Sequence, residues 1–228
     1  MSQPEVFSVL FVAYPLLAVS ANSAGGAEQA LLTLEREMAA AGHRTTVAAA
    51  DGSEVAGLLM PTGAPATSAD EFESREREQC DLLLTYLRRH PRQFSLIHDH
   101  SGSFFRYARQ CPVPVLATLH LPRPFYREEW FRSVPANLYF NCVSDAQRET
   151  FRDVPRLLGV VRNGVRVSEF RFRPAKENYL LWMGRICQIR SGKIRRADFR
   201  RHRFEGTGGI GHGDVQGTAR RAALAGLS

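Results

Sequence analysis

An alternation of strand-like and helix-like segments is the feature that most constrains the fold. Apolar segments of strand length lie at residues 6–13, 43–50, 94–100, 112–120, 136–144 and 156–164. Segments with helical character separate them, at residues 26–41, 70–90, 103–110, 125–133 and 145–153. Strands that alternate with helices form a parallel sheet, because each helix returns the chain to the same edge. We therefore predict an α/β fold, a Rossmann-like parallel sheet with helices on both faces.

The clearest helix signals lie at the two longest helical segments. Apolar residues recur at three- and four-residue steps through residues 26–41, and Gly42 follows as a helix terminator. Acidic residues crowd the start of residues 70–90 and basic residues the end, which suits the helix dipole. The connection at residues 52–67 is rich in Pro, Gly and Ala and is expected to be a loop.

The net charge of +7 is concentrated at one end of the chain. Residues 189–228 hold 9 basic and 3 acidic side chains, whereas residues 1–188 hold 21 and 20. The body is therefore nearly neutral, and the basicity says nothing about its partners. The basic segment has only Phe199 and Phe204 among its arginines, which argues against a nucleic-acid partner.

Cysteine usage and the first apolar segment bear on location. The four cysteines are widely spaced, with no C-x-x-C pair, which favours reduced thiols and a cytoplasmic protein. The first five residues carry no Lys or Arg, and Pro15 interrupts the apolar run that follows. A buried first strand is favoured over a signal peptide, and no segment is long enough to be an integral membrane span.

Two glycines stand at the start of the first helical segment. Gly25 and Gly26 would leave backbone N–H groups free at a positive helix end, which suits an anion. The spacing matches neither the dinucleotide fingerprint nor the P-loop. The glycines alone leave open the alternative of a tight turn.

Ligands of parallel sheets bind at the carboxyl ends of the strands, where several polar residues stand. His98 and His100 are expected on one face of their strand and Asp99 on the other. That alternation, and the lack of a further ligand pattern, argue against a metal site. His120 ends the next strand and is expected to face the cleft, and Ser144 follows the strand after it.

Six motifs in order resemble the retaining GT-B glycosyltransferases of family 4. They read G-G-A-E at the first helix, then LIHDH, ATLH, VSDAQ, VVRNGV with FRP, and YLLWMGRI. The resemblance implies an N-terminal lobe that binds mainly the acceptor and a C-terminal lobe that binds a nucleotide sugar. It implies reaction between the lobes without a metal, and no cofactor besides the nucleotide-sugar co-substrate.

The resemblance also assigns roles to individual residues. Gly25 and Gly26 would meet the donor diphosphate, and His120 would lie beside the transferred sugar as the catalytic residue. Arg185 would neutralise the leaving phosphate, joined by Arg190 where the family has Lys. The remaining positions implied to line the acceptor site or cleft are Glu28, His98, His100 and Ser144.

The family pattern stops after Arg185. Ile189 and Ser191 stand where the family has an acid and a glycine, and the later E-x7-E motif is missing because Gly213 stands eight residues after Glu205. We expect residues 1–165 to be the N-terminal domain, 166–188 a hinge with the first strand of an incomplete C-terminal domain, and 189–228 a disordered basic tail. A truncated or frameshifted transferase would have this pattern.

Three functions of different classes follow from these expectations. The first is a family 4 glycosyltransferase, crippled alone or completed by a separate donor-domain polypeptide, with an unknown acceptor. The second is a non-catalytic remnant that binds the acceptor. The third, which the composition supports least, is nucleic-acid binding through the basic tail.

Overall fold

The computed structural model describes residues 5–169, 172, 174 and 175. The chain divides into two units, Met1–Arg171 and Phe172–Ser228. The predicted strand near Trp182 and the predicted basic tail lie outside the described residues, as do Arg185 and Arg190. The domain boundaries at 165 and 188 stay predictions.

Within the described residues, the first unit contains seven strands and four α-helices. The strands are β1 Ser8–Val12, β2 Arg44–Ala49, β3 Leu58–Pro61, β4 Leu96–Asp99, β5 Val115–Leu119, β6 Leu138–Cys142 and β7 Leu157–Val160. The helices are α1 Gly26–Ala40, α2 Ala69–Arg89, α3 Glu129–Arg132 and α4 Asp145–Thr150. Three short 3₁₀ helices lie at Phe104–Gln110, Arg123–Phe125 and Val167–Glu169.

All seven strands form one parallel sheet in the order β3-β2-β1-β4-β5-β6-β7. Both faces of this sheet are covered. On one face, Leu31 and Leu32 of α1 pack with Phe11 of β1. On the other, α2 and the later helical segments pack against a larger core that includes Phe105 and Phe140. The predicted Rossmann-like sheet with helices on both faces is confirmed.

The boundaries of the two long helices follow local sequence signals. Ser68 caps α2, because its side chain accepts a hydrogen bond from the Glu71 N–H. Gly42 follows α1 with φ of 88°, the left-handed conformation that ends many helices and that glycine adopts without strain. Both predicted helices therefore end within a residue or two of their expected positions.

One strand lies in the segment that was expected to be a loop. β3 forms inside residues 52–67 because Glu35 of α1, which is fully buried, holds the chain before it. The Glu35 carboxylate accepts hydrogen bonds from the N–H groups of Ala56 and Gly57 at 3.0 and 2.7 Å, and from the Thr45 hydroxyl at 2.6 Å. A tertiary contact 21 residues away in sequence, not local propensity, places this edge strand.

Candidate functional site

The strand order reverses between β1 and β4, which are neighbours although β2 and β3 lie between them in the chain. Ligands of doubly wound sheets bind outside the carboxyl ends of the strands at such a point, because the connecting loops diverge there. Tyr14 lies just beyond the end of β1, and His100 directly follows β4. We therefore locate the candidate site at this edge of the sheet.

Strands β4 and β5 bring His98, His100 and His120 together at this edge, and we call them the histidine cluster. The ring centroids of His98 and His100 are 4.2 Å apart, and those of His100 and His120 are 5.0 Å apart. His98 and His100 both lie against Phe11 of β1. His98 and His100 therefore share one face of the sheet, as predicted.

A chain of hydrogen bonds across three strands holds His98. Its Nε2 atom lies 2.8 Å from the Thr118 hydroxyl, and that hydroxyl donates to the Asn141 side-chain oxygen at 2.9 Å. A hydroxyl has one proton, so with Thr118 donating to Asn141, the Nε2–H group of His98 must donate to Thr118. His98 is therefore satisfied within the sheet, and it is buried.

His100 and His120 are in direct contact with each other. The Nδ1 atom of His100 lies 2.9 Å from the Nε2 atom of His120. His100 is 3% exposed, whereas His120 is half-buried and reaches further toward the edge. Among the described residues, the second ring nitrogen of His100, Nε2, has no hydrogen-bond partner.

Burial keeps the whole histidine cluster neutral. It lowers the pKa of His120 to about 4 and that of His98 to about 3, the latter with a contribution from nearby His120. The pKa of His100 is lowered well below its usual value, by burial first and then by the other two imidazoles. At neutral pH the cluster therefore offers hydrogen bonds and no positive charge.

Asp99 points to the opposite face and caps a helical segment. Its carboxylate accepts hydrogen bonds from the Ser101 N–H at 2.7 Å, the Ser101 hydroxyl at 2.6 Å and the Phe105 N–H at 2.7 Å. Burial raises its pKa to about 6, although these three donors favour the ionised form. Among the described residues, no group of three or more His, Cys, Asp or Glu side chains is arranged to hold a metal ion.

The N-cap residue of α1 is a glycine. Gly25, with φ of −89° and ψ of 132°, has no side chain that could make a capping hydrogen bond. The helix runs for 15 residues, so its aligned peptide dipoles leave partial positive charge at this end. The predicted placement of Gly25 and Gly26 at a helix N-terminus is therefore correct.

The two glycines differ in what surrounds them. A Cβ atom at Gly25 would lie 1.8 Å from a carboxylate oxygen of Glu28, which is 5% exposed and folds back over the loop. A Cβ atom at Gly26 would meet nothing within 4 Å, and its φ is not positive. Packing therefore explains a glycine at position 25, whereas neither packing nor backbone conformation explains one at position 26.

Gly26 opens onto a cavity of about 270 Å³. Gln29 and Thr33 of α1 form one wall, and the segment after β7 forms the other with Asn163, Gly164 and Arg166. Arg166 fixes this segment to α1, because its Nε atom lies 2.7 Å from a Glu37 carboxylate oxygen. We call residues 161–169 the connector.

Tyr14 and Gly102 pack closely beside the histidine cluster. A Cβ atom at Gly102 would lie 2.4 Å from the Tyr14 hydroxyl, and Gly102 has φ of 71°, so position 102 requires glycine on both counts. Burial, followed by the charges of neighbouring Tyr126, Asp99, Glu28 and Glu76, raises the pKa of Tyr14. The phenol is therefore neutral across the working pH range.

Ser144 lies at the same edge as a helix cap. Its hydroxyl accepts a hydrogen bond from the Gln147 N–H at 3.2 Å, at the start of α4. The Gln147 side chain joins β5 to this turn by donating to the carbonyl oxygens of Leu119 and Leu121 at 2.7 and 2.9 Å. The contacts of Ser144 support a structural role, and its predicted contact with a ligand stays a prediction.

Several site residues carry no recognisable sequence signal. Tyr14 belongs to no motif, and Thr118 and Asn141 are ordinary members of strands. Gly102 could have been noticed, since an S-G-S stretch after a buried strand marks a tight turn. Which side chains of neighbouring strands contact each other depends on the strand register, and a local sequence pattern does not determine the register.

Comparison with solved structures returns matches of low sequence identity. The Anabaena protein HepE, in a complex with UDP and glucose, is 12% identical with a TM-score of 0.49, over 74% of this chain and 47% of that one. A glycosyltransferase from Rickettsia africae ESF-5 is 12% identical with a TM-score of 0.43, over 68% of this chain and 42% of that one. This chain thus spans less than half the length of either structure.

Sequence comparison gives a more direct result. No curated protein matches the chain. The family model described as Glycosyltransferase Family 4 matches residues 24–169, which is more than half of the 228 residues and includes the glycine loop and the histidine cluster. The chain belongs to glycosyltransferase family 4.

Proposed function

We propose that this chain works in sugar transfer, moving a sugar from a nucleoside diphosphate to an acceptor with retention of configuration. The observation that carries the proposal is Gly26, which stands at a helix N-terminus with a glycine N-cap and opens onto a cavity without a packing reason to be glycine. A phosphate oxygen can approach the backbone closely only where no Cβ stands in the way. Family membership makes the donor diphosphate the natural ligand.

In this proposal the amides of the α1 first turn stabilise the leaving group. As the bond between the anomeric carbon and the β-phosphate oxygen breaks, negative charge grows on the diphosphate. Fixed N–H dipoles and the helix end favour that charge without having to reorient. The acceptor hydroxyl then forms its bond to the same face of the anomeric carbon, and its proton leaves with the released diphosphate.

His120 would act as a neutral hydrogen-bonding group beside the sugar. Its pKa of about 4 leaves it uncharged at neutral pH, so it does not serve as a cationic acid there. His98 is committed to Thr118, and His100 contacts His120. Of the cluster, His120 is therefore the proposed catalytic residue and the other two support its position.

The donor also needs a second wall with full positive charge. The proposal assigns this to Arg185 and Arg190, which lie outside the described residues, or to a separate donor-domain polypeptide. Glu28, His98, His100 and Ser144 belong to the side that faces the acceptor and the cleft. The nucleotide sugar is the co-substrate, and the proposed location is the cytoplasm; no helix within the described ranges is long and apolar enough to cross a membrane.

A second candidate is a lobe that binds the acceptor without catalysis. It is favoured by the match to the family model, which ends at residue 169, within the first unit. A lobe of this kind would retain the fold and the cleft edge but would bind a nucleotide sugar weakly or not at all.

Calorimetric titration of the purified chain with UDP, GDP, ADP and their sugar conjugates tests the proposal. Dissociation constants in the micromolar range, together with release of the matching nucleoside diphosphate when acceptors are added, would support a transferase. Absence of binding at millimolar concentrations would contradict it and favour the acceptor-binding lobe. Gly26→Asp, which adds a negative charge at the helix end, should abolish such binding, and Ala40→Asp at the far end of α1 is the matched control.

A further inference from the structure

The hydrogen bond between His100 and His120 requires one ring to donate and the other to accept. It joins Nδ1 of His100 to Nε2 of His120 over 2.9 Å. Both imidazoles are neutral at pH 7, since burial lowers both pKa values, so each ring carries a single proton. Two arrangements of these protons are therefore possible.

The surroundings of His100 distinguish the two arrangements. If His120 donates, His100 must carry its own proton on Nε2, which is buried and has no acceptor among the described residues. If His100 donates from Nδ1, its Nε2 is a bare nitrogen and no N–H group is orphaned. Buried N–H groups without a partner are rarer in folded proteins than acceptors without one.

We infer that His100 is a positioning residue, which donates from Nδ1 to Nε2 of His120 and thereby fixes the proton of His120 on Nδ1. Because Nε2 of His120 contacts His100, Nδ1 of His120 is the nitrogen available for other partners. The His120 ring is half-buried, whereas His100 is fully buried. His120 accordingly presents an N–H donor, not a lone pair, to whatever binds beside it.

The chemical consequence concerns the kind of oxygen that His120 recognises. An N–H donor pairs with an oxygen that accepts, such as a sugar hydroxyl oxygen or a phosphate oxygen, and it cannot remove a proton from an acceptor hydroxyl. This consequence rests on the proposed function, whereas the tautomer itself does not. His100 thus determines which role His120 takes without touching the ligand.

The test is nitrogen NMR of the full chain, labelled with ¹⁵N on histidine, at pH 7 and without any nucleotide or sugar. Long-range correlations between ring protons and ring nitrogens show which nitrogen of each imidazole carries the proton. We expect Nδ1 to be protonated in both His100 and His120. The reading is independent of sugar transfer, so it stands or fails separately from the proposed function.

Substitution of His100 tests the cause. In His100→Leu, which has no donor, the His120 tautomer should change, with the Nε2–H form becoming the major one, as in free imidazole side chains. If circular dichroism shows that His100→Leu does not fold, His100→Phe, which keeps an aromatic ring against Phe11, is measured in its place. A proton on Nε2 of His120 in the unmodified chain, or a tautomer unchanged in the variant, would overturn the inference.

Discussion

Replacing Gly26 by Ala tests the central argument for the site in two independent ways. Gly26 is the first residue of α1, its φ is not positive, and a Cβ there would meet no atom within 4 Å. The fold should therefore accept a methyl group without rearrangement. If glycine is retained for the approach of a ligand, the same methyl group should harm binding while it helps the fold.

The magnitudes follow from helix propensity and from the lost hydrogen bond. Alanine is about 1 kcal/mol better than glycine inside a helix and roughly half that in the first turn, so we expect about 0.5 kcal/mol of stabilisation. For a folded unit of this size that raises Tm by about 1–2 °C. Losing one hydrogen bond to a charged oxygen costs about 1.5–3 kcal/mol, which weakens nucleotide binding about ten- to a hundred-fold.

The assay combines urea unfolding with calorimetric titration of the nucleotide or nucleotide sugar that the chain binds best. Ala40→Gly is the matched control, since Ala40 is exposed in the last turn of the same helix, about 20 Å from Gly26. It should lower stability by about 0.5–1 kcal/mol and leave binding unchanged. The reasoning is refuted if Gly26→Ala destabilises the fold, or if it stabilises the fold and binds as tightly as the parent.

Further predictions concern titration, packing and thiol access. The folded state holds the Asp99 proton up to about pH 6, whereas the unfolded state releases it near 4. As the pH rises between these values, the free energy of unfolding should decrease by about 3 kcal/mol, and Asp99→Asn should not show this decrease. Equal pH profiles of the two proteins in urea titrations would contradict this. His98 and His120 have lowered pKa values, so each should reduce the free energy of unfolding by about 1.4 kcal/mol for every pH unit below 6.5. His98→Gln should therefore show a pH slope that is smaller by that amount. Phe105→Ala should cost about 3–5 kcal/mol by urea unfolding, because the ring is 1% exposed between Phe131 and Phe140. The three described cysteines are free and buried, with raised pKa values, so a thiol reagent should label them only after denaturant is added.

The sheet was predictable because its signals are local. Apolar runs of strand length, helical periodicity and the glycine after α1 each depend on a few neighbouring residues, and they gave six of the seven strands. β3 was not predicted, because Glu35, which lies in α1, positions it. The segment 103–110 has a helical pattern but forms a 3₁₀ helix, in which Asp99 and Ser101 cap the first turn.

The candidate site was predictable in position and not in detail. The rule that ligands bind at carboxyl ends of parallel strands located His98, His100 and His120 correctly at one edge. Whether they touch depends on the register of β4 and β5, which pairs His98 with Leu116. The partners Thr118 and Asn141 follow from the same register, and no local pattern in the sequence indicates them.

The electrostatics of this edge determine what a complete site must add. The histidine cluster is neutral, Glu28 places a carboxylate over Gly25, and the described groups that favour an anion are the dipoles of the α1 first turn. Arg166, which lines the cavity, is already paired with Glu37. A leaving diphosphate carries more charge than one helix end, worth roughly half a unit charge, can balance. Under the proposed function, sugar transfer at this edge therefore requires guanidinium or ammonium groups from Arg185 and Arg190 or from a separate polypeptide, and their supply decides between the two proposed functions.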